Sequence, residues 1–217
     1  MKIKWNGHAS FTITGADGTV IVTDPYEPGG YDGAVGYGAI EDQADVALVS
    51  HGHPDHNFVQ GLPGKPRVLE SGGAAKGIDF TGVDAAHDES GGSERGKIVM
   101  FVFTVDGVRV GFMGDLGHLL TDAQLAELGA IDLLLAPIGG VFTLDPDGAA
   151  KLVEQVGPKL MIPMHYKNDK CHFPLAEVDD FAKRMINVKK IGESEVELDA
   201  SKLPAAGPEV WVLEHAC

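Results

Sequence analysis

The sequence predicts an α/β fold, and three observations carry that expectation. Short apolar runs separated by Gly, Pro and Asp turns fill the first two thirds of the chain. Helical patterns begin only near residue 121. A strand-rich pattern restarts near residue 98, which permits two similar halves packed as a sandwich.

In chain order, the apolar runs place strands at 2–5, 10–14, 19–23, 46–49, 67–70, 78–80 and 83–86. Strands at 98–105 and 108–113 flank Asp106 and Gly107, a pair that favours a tight hairpin turn. TDAQLAEL at 121–128 has helical spacing, with Thr121 as its N-cap. Further helices are expected at 145–156 and 175–185, and strands at 132–136, 160–163, 195–198 and 210–213. The stretch EPGGYDGAVGYGA at 27–39 holds five glycines and two tyrosines, so it reads as an irregular loop, functional or mobile.

The 217 residues suit one domain, 1–217, and the 44% hydrophobic and 23% charged content is ordinary for a globular chain. Apolar runs such as LLLAPI at 133–138 fall far short of the roughly 20 residues needed to span a bilayer, so no membrane is expected. The opening MKIKWNGHASFTI shows no apolar secretion core, and Cys171 and Cys217 are too few for a disulfide framework. A cytoplasmic location follows as the expectation. A net charge of −15 argues against extended nucleic acid as a partner, but not against a small, even anionic, substrate. A homo-oligomer is left open.

Histidine is scarce, nine in all, yet SHGHPDHNF at 50–58 packs three histidines and an aspartate into six consecutive positions. Histidine and aspartate together are ligands for borderline metal ions. Four apolar runs also end in such residues: ADVALVS leads to His51, GVDAA to His87, RVGFMG to Asp115 and LMIPM to His165. Strands of one sheet bring their ends to one edge, so the four endings can converge. His51 and His53, two positions apart, can reach one ion, while Asp55 and His56 diverge beyond the stiff Pro54. The expected sets are His51, His53 and His87 on one ion and Asp55, His56 and His165 on another. Asp115 bridges, because two close cations need a shared anion.

With these residues the chain resembles the metallo-β-lactamase superfamily. The resemblance covers nearly its whole length and rests on HxHxDH (His51, His53, Asp55, His56), with His87, Asp115 and His165 following in order. WNGHAS at 5–10 is similar to an element of the small cytoplasmic metal-dependent hydrolases related to ascorbate-6-phosphate lactonases. That resemblance implies a four-layer αβ/βα sandwich with a dinuclear site between its sheets and a bridging hydroxide as nucleophile. His53 stands where oxygen-reducing members typically carry Glu, and no RNA-binding arm is visible.

Beside the ligands, His8 is read as a proton-transfer or supporting catalytic group, against a purely local hydrogen-bonding role in the first hairpin. Asp55 is expected to orient the nucleophile as well as bind metal. Asp24 is expected to orient the histidine loop rather than touch metal. Tyr26, Tyr31 and Tyr37 are candidates for a substrate mouth, although surface-loop tyrosines are common. Lys167 reads as a solvated lysine before an anion site, and Cys171, beside His172, as a buried structural thiol. His118 and His215 look ordinary.

The expected activity is hydrolysis of a small ester or lactone using two divalent ions, zinc first, with manganese, iron or nickel acceptable to the same donors. Phosphodiester hydrolysis is the alternative within the fold. Metal binding without turnover is the alternative outside it.

Overall fold

Alternating apolar and polar residues in KIKWNG and SFTIT make β1 (Lys2–Gly7) and β2 (Ser10–Thr14), the first hairpin of the computed structural model, which describes residues 1–217. β3 (Val20–Thr23), β4 (Ala44–Leu48) and β5 (Gly64–Leu69) continue that sheet. The second sheet is built from β6 (Gly73–Ala75), β7 (Ile78–Ala86), β8 (Lys97–Val105), β9 (Val108–Phe112), β10 (Leu133–Pro137) and β11 (Leu160–Met164). Helices α1 (Asp122–Leu128), α2 (Pro146–Val156) and α3 (Val178–Ala182) lie among the later strands. β12 (Val188–Lys190), β13 (Glu195–Glu197) and β14 (Glu209–Val212) complete the chain.

The first sheet runs β13-β1-β2-β3-β4-β5 and the second β12-β14-β11-β10-β9-β8-β7-β6. One core cluster of 46 buried residues joins the two sheets and the helices, with Phe11 and Ile13 from the first sheet, Phe101, Phe112 and Leu135 from the second and Leu152 and Phe181 from α2 and α3. LLLAP in β10 and LMIPM in β11 are buried throughout, as parallel strands covered on both faces must be. No helix is long and apolar enough to cross a membrane.

Strand direction decides where side chains meet. β3 and β4 are parallel, and β1 is antiparallel to β2, itself antiparallel to β3, so β1, β3 and β4 all end at one edge. β9, β10 and β11 are parallel, and β7 matches them because both β7 and β9 oppose β8. The ends of β7, β9, β10 and β11 therefore share an edge too.

Several expectations are corrected. The two strands expected at 78–80 and 83–86 are one strand, β7. The ThrGly pair between them is no turn: a Cβ on Gly82 would lie 2.6 Å from the Gly72 backbone nitrogen, so glycine there permits close packing. The helix expected over 175–185 is only α3. Leu175 is drawn into an apolar cluster and Ala176 N–H donates to Gly139 O, which holds the residues before α3 in extended form. β6 and β12, three residues each, were not expected, and exist through pairing with β7 and β14.

Candidate metal centre

The seven candidate ligands meet between the sheet edges. His51, His53, Asp55 and His56 come from the loop after β4, His87 directly from the end of β7, Asp115 from beyond β9, and His165 from the end of β11. Ring and carboxylate atoms gather within 4.8 Å in His51, His53 and His87 and in His8, Asp55, His56 and His165, and a third set joins Asp24 to His51 and His56 across the first two. Asp115 Oδ2 stands between the first two sets, at 3.1 Å from His56 Nε2, 3.2 Å from His87 Nε2, 3.4 Å from His165 Nε2 and 3.9 Å from His51 Nε2.

Behind these atoms lies a buried frame. Asp24 Oδ1 accepts from Ser50 N–H at 2.7 Å, and its Oδ2 accepts from the Ser50 hydroxyl at 2.6 Å. The same Oδ2 is 2.9 Å from His56 Nδ1, which leaves Nε2 turned toward Asp115. Ser50 Oγ is 2.9 Å from His51 Nδ1 and does the same for that ring. Gly114 makes room for this frame: with φ 51° it adopts a left-handed conformation, and a Cβ there would lie 2.6 Å from that of Ser50. Ser50 and Gly114 were missed in the sequence. The small polar residue before HxHxDH and the glycine before Asp115 are the signals that mark them.

His8 sits in the turn between β1 and β2 with φ 51°, and His165 has φ 52°. Non-glycine residues held in this region mark a backbone constrained by its surroundings. The constraint here is visible: His8 O accepts from both the Trp5 indole at 3.1 Å and His165 N–H at 3.0 Å, tying the two sheets together. The His8 side chain does not bond within the hairpin. Its Nε2 is 3.0 Å from Asp55 Oδ2, and its ring centre is 4.2 Å from that of His165.

Burial sets the protonation of most rings. It pushes His51 down to about 2 and His165 down to about 3, with neighbouring histidines adding to the effect, so both are neutral with lone pairs to offer. Burial also lowers His53, reinforced by His87. His56 goes the other way, because Asp115 and Asp55 outweigh its burial and raise it well above the ordinary value. Burial acts to raise Asp115, but the facing rings of His165 and His56, with hydrogen bonds to His56 and His87, hold it well below the carboxylate range. Asp55 is likewise held low against its burial by His56 and His8. Asp24, fully buried, is raised by that burial against the lowering effect of its bonds to His56 and Ser50.

The donor set fits divalent cations. His51 Nε2 and His53 Nδ1 face each other at 2.9 Å, a distance suited to two donors on one ion. His8 Nδ1, His56 Nε2, His87 Nδ1, Asp115 Oδ1 and His165 Nδ1 are buried without a hydrogen-bond partner. Of these, His56 Nε2 and Asp115 Oδ1 belong to groups that face each other at the centre; each such orphan costs about 1–3 kcal/mol, which a cation held there would offset. Imidazole and carboxylate without thiolate suit zinc, manganese, iron or nickel.

Other residues fall outside this cluster. Tyr26 and Tyr37 are buried with ring centres 5.3 Å apart, because the 27–39 loop folds back over a second apolar cluster containing Val22, Val35 and Ile40. Only Tyr31 is left at the mouth, 48% exposed. Lys167 is exposed and pairs with Glu177 at 3.6 Å. Cys171 is buried as a free thiol, its pKa pushed up to about 11 by that burial, and His172 is exposed. His118 Nε2 accepts from Ala86 N–H at 3.1 Å, and His215 pairs with Asp169 at 2.9 Å.

Residues 2–165 match the family of the beta-lactamase superfamily domain. A protein from Archaeoglobus fulgidus described as UPF0173 metal-dependent hydrolase is 34% identical over 215 residues, 84% of this chain and 90% of that one. A protein of the same description from Methanoculleus marisnigri is 32% identical over 192 residues, 76% of this chain and 81% of the relative. The crystal structure of a metallo-beta-lactamase superfamily protein from Thermotoga maritima superposes with a TM-score of 0.79 at 35% identity, covering 98% of each chain.

Proposed function

This chain belongs to the beta-lactamase superfamily as a metal-dependent hydrolase with a His/Asp metal-binding cluster, and from that premise we propose that it cleaves a small ester or lactone at a dinuclear centre. The observation that carries the proposal is Asp115 Oδ2, which lies 3.1–3.9 Å from four imidazole nitrogens drawn from both clusters. In this reading His51, His53 and His87 would hold one ion and Asp55, His56 and His165 the other, with Asp115 serving both. Two divalent ions, zinc or an equivalent, would acidify water from a pKa of about 15.7 to about 7 and polarise the scissile carbonyl.

The chain's own residues do the rest. Asp24 and Ser50 fix the rings of His56 and His51 so that their Nε2 atoms point into the centre. Asp55 orients the nucleophile, and His8, 3.0 Å from its carboxylate, exchanges the proton at Nε2 with the leaving oxygen. Complete burial of His8 and near-complete burial of Asp115 keep bulk water from this exchange. The free cysteines, one buried, suit the reducing cytoplasm in which we place the protein.

The test is metal analysis of natively purified protein, followed by a panel of lactones, esters, thioesters and bis-aryl phosphodiesters with each metal. Lactone or ester turnover supports the proposal. Turnover of phosphodiesters alone would replace it with the alternative substrate class, and no turnover by fully loaded protein would reduce it to metal binding.

A further inference from the structure

Four loops leave the strand ends around the metal centre, and they carry side chains that the chemistry above does not use. The loop after β10 supplies Val141 and Phe142, that between β7 and β8 Arg95, that after β11 Phe173, and that after β3 Tyr31. Phe173 stands in the middle: its ring centre is 5.5 Å from that of Tyr31, 6.5 Å from that of Phe142 and 6.0 Å from that of His8. The Arg95 guanidinium lies 3.9 Å above the Phe142 ring. A cavity of about 600 Å³ has His87, Arg95, Val141, Phe142 and Lys151 in its lining.

This arrangement is held in place. Asp88 accepts from the backbone N–H groups of Ser90, Gly92, Glu94 and Arg95 at 2.7–3.0 Å, which fixes the loop that presents Arg95. Val141 has φ 64° and is 62% exposed, an unfavourable conformation for a β-branched residue that its surroundings must impose. Gly140 N–H donating to Leu144 O and Leu144 N–H donating to Leu116 O close that loop over the Asp115 segment.

The charges in the cavity are unevenly committed. Asp88 is occupied by backbone donors, Asp145 accepts from Gly148 N–H, Asp147 pairs with Arg184, and Glu94 accepts from Ser90. Glu89 is exposed. The Arg95 guanidinium has no carboxylate or carbonyl partner, only the face of Phe142. Stacking on a ring leaves the edge of a guanidinium free, and that edge matches a carboxylate or phosphate with two parallel hydrogen bonds.

We infer that this rim reads the substrate: an anionic small molecule whose carboxylate or phosphate sits on Arg95 and whose apolar or aromatic body lies against Phe142 and Phe173. Lys151 adds a second cation to the lining of the same cavity. The inference rests on the hydrolytic reading of the metal centre.

Calorimetric titration of the metal-loaded protein with phenylphosphonate, phenylacetate and benzyl alcohol tests it without requiring turnover. Arg95 is exposed, so Arg95→Ala keeps fold and metal content, which melting temperature and metal analysis verify. Arg95→Ala should weaken at least one of the two anions by about tenfold while changing benzyl alcohol less than about twofold, and Arg95→Lys should recover only part of the loss. The anion that loses more names the group read. Phe142→Ala should weaken all three probes. Equal anion affinity in wild type and Arg95→Ala, as binding by the metal centre alone would give, overturns the inference. Arg95-dependent binding without turnover of any ester, lactone or phosphodiester would sink the hydrolytic reading and leave the anion site standing.

Discussion

Asp115 and His8 show how differently two buried polar side chains can be used at one site. Asp115 Oδ2 faces four imidazoles, so in the proposed dinuclear centre its charge would let two cations lie close together. Asp115→Asn keeps the shape and removes the charge. Metal affinity should fall by more than the roughly 10–100-fold that outer hydrogen-bonding partners contribute, and turnover should go with it. Native mass spectrometry beside a rate assay checks this; two retained ions with full activity would remove the bridging role. His8 meets the cluster through Asp55, so His8→Ala should lower kcat by roughly 10²–10⁴-fold while two ions stay bound. If kcat per folded molecule holds and only melting temperature drops, His8 is structural. If metal is lost, His8 belongs among the ligands, a role its place in the second cluster allows.

Secondary-structure elements contribute by where they end. β10 carries no candidate ligand, yet it lies between β9 and β11 and fixes the spacing between the segments that deliver Asp115 and His165. Leu135 in its middle is fully buried, and Leu135→Ala should cost about 2–5 kcal/mol in urea denaturation. A value well under that range would mean that the strand can collapse around the cavity. Helix α1 is nearer the surface, where local chemistry decides. Thr121 and Gln124 cap it reciprocally, so Thr121→Ala should cost about 1 kcal/mol and leave metal content unchanged. This helix was legible because its cap, spacing and stop are all local. Expected helix 175–185 was not, because Leu175 and Ala176 answer to the 27–39 and 138–144 loops rather than to their neighbours in sequence.

At the scale of the whole molecule the metal centre joins two sheets. His51, His53, Asp55 and His56 extend from the first, and His87, Asp115 and His165 from the second. Ions held by both sets would bind the folded chain and not the unfolded one. At a free metal concentration 100 times Kd, each should add about 2.7 kcal/mol. Chelation should therefore lower the melting temperature, and restoring metal should raise it in a concentration-dependent way. A melting temperature indifferent to chelator, in protein shown to have lost its ions, would mean that the sheets do not depend on the centre for stability.

The candidate ligands His87, Asp115 and His165 could be read from the sequence because each follows an apolar run, and β7, β9 and β11 carry their ends to one edge of the second sheet. HxHxDH adds four more within six positions, where the chain itself guarantees proximity. Folding decided the surroundings. Tyr26 and Tyr37, which could have lined the mouth, are buried by a loop closing on a second apolar cluster, while Tyr31 between them is not. Phe142, Phe173 and Arg95 are spread over some eighty residues, in three loops without a shared motif, yet they meet at one rim. A short motif records contacts between neighbours in sequence. Contacts between loops depend on strand order and register, and those are set by the packing of the whole core.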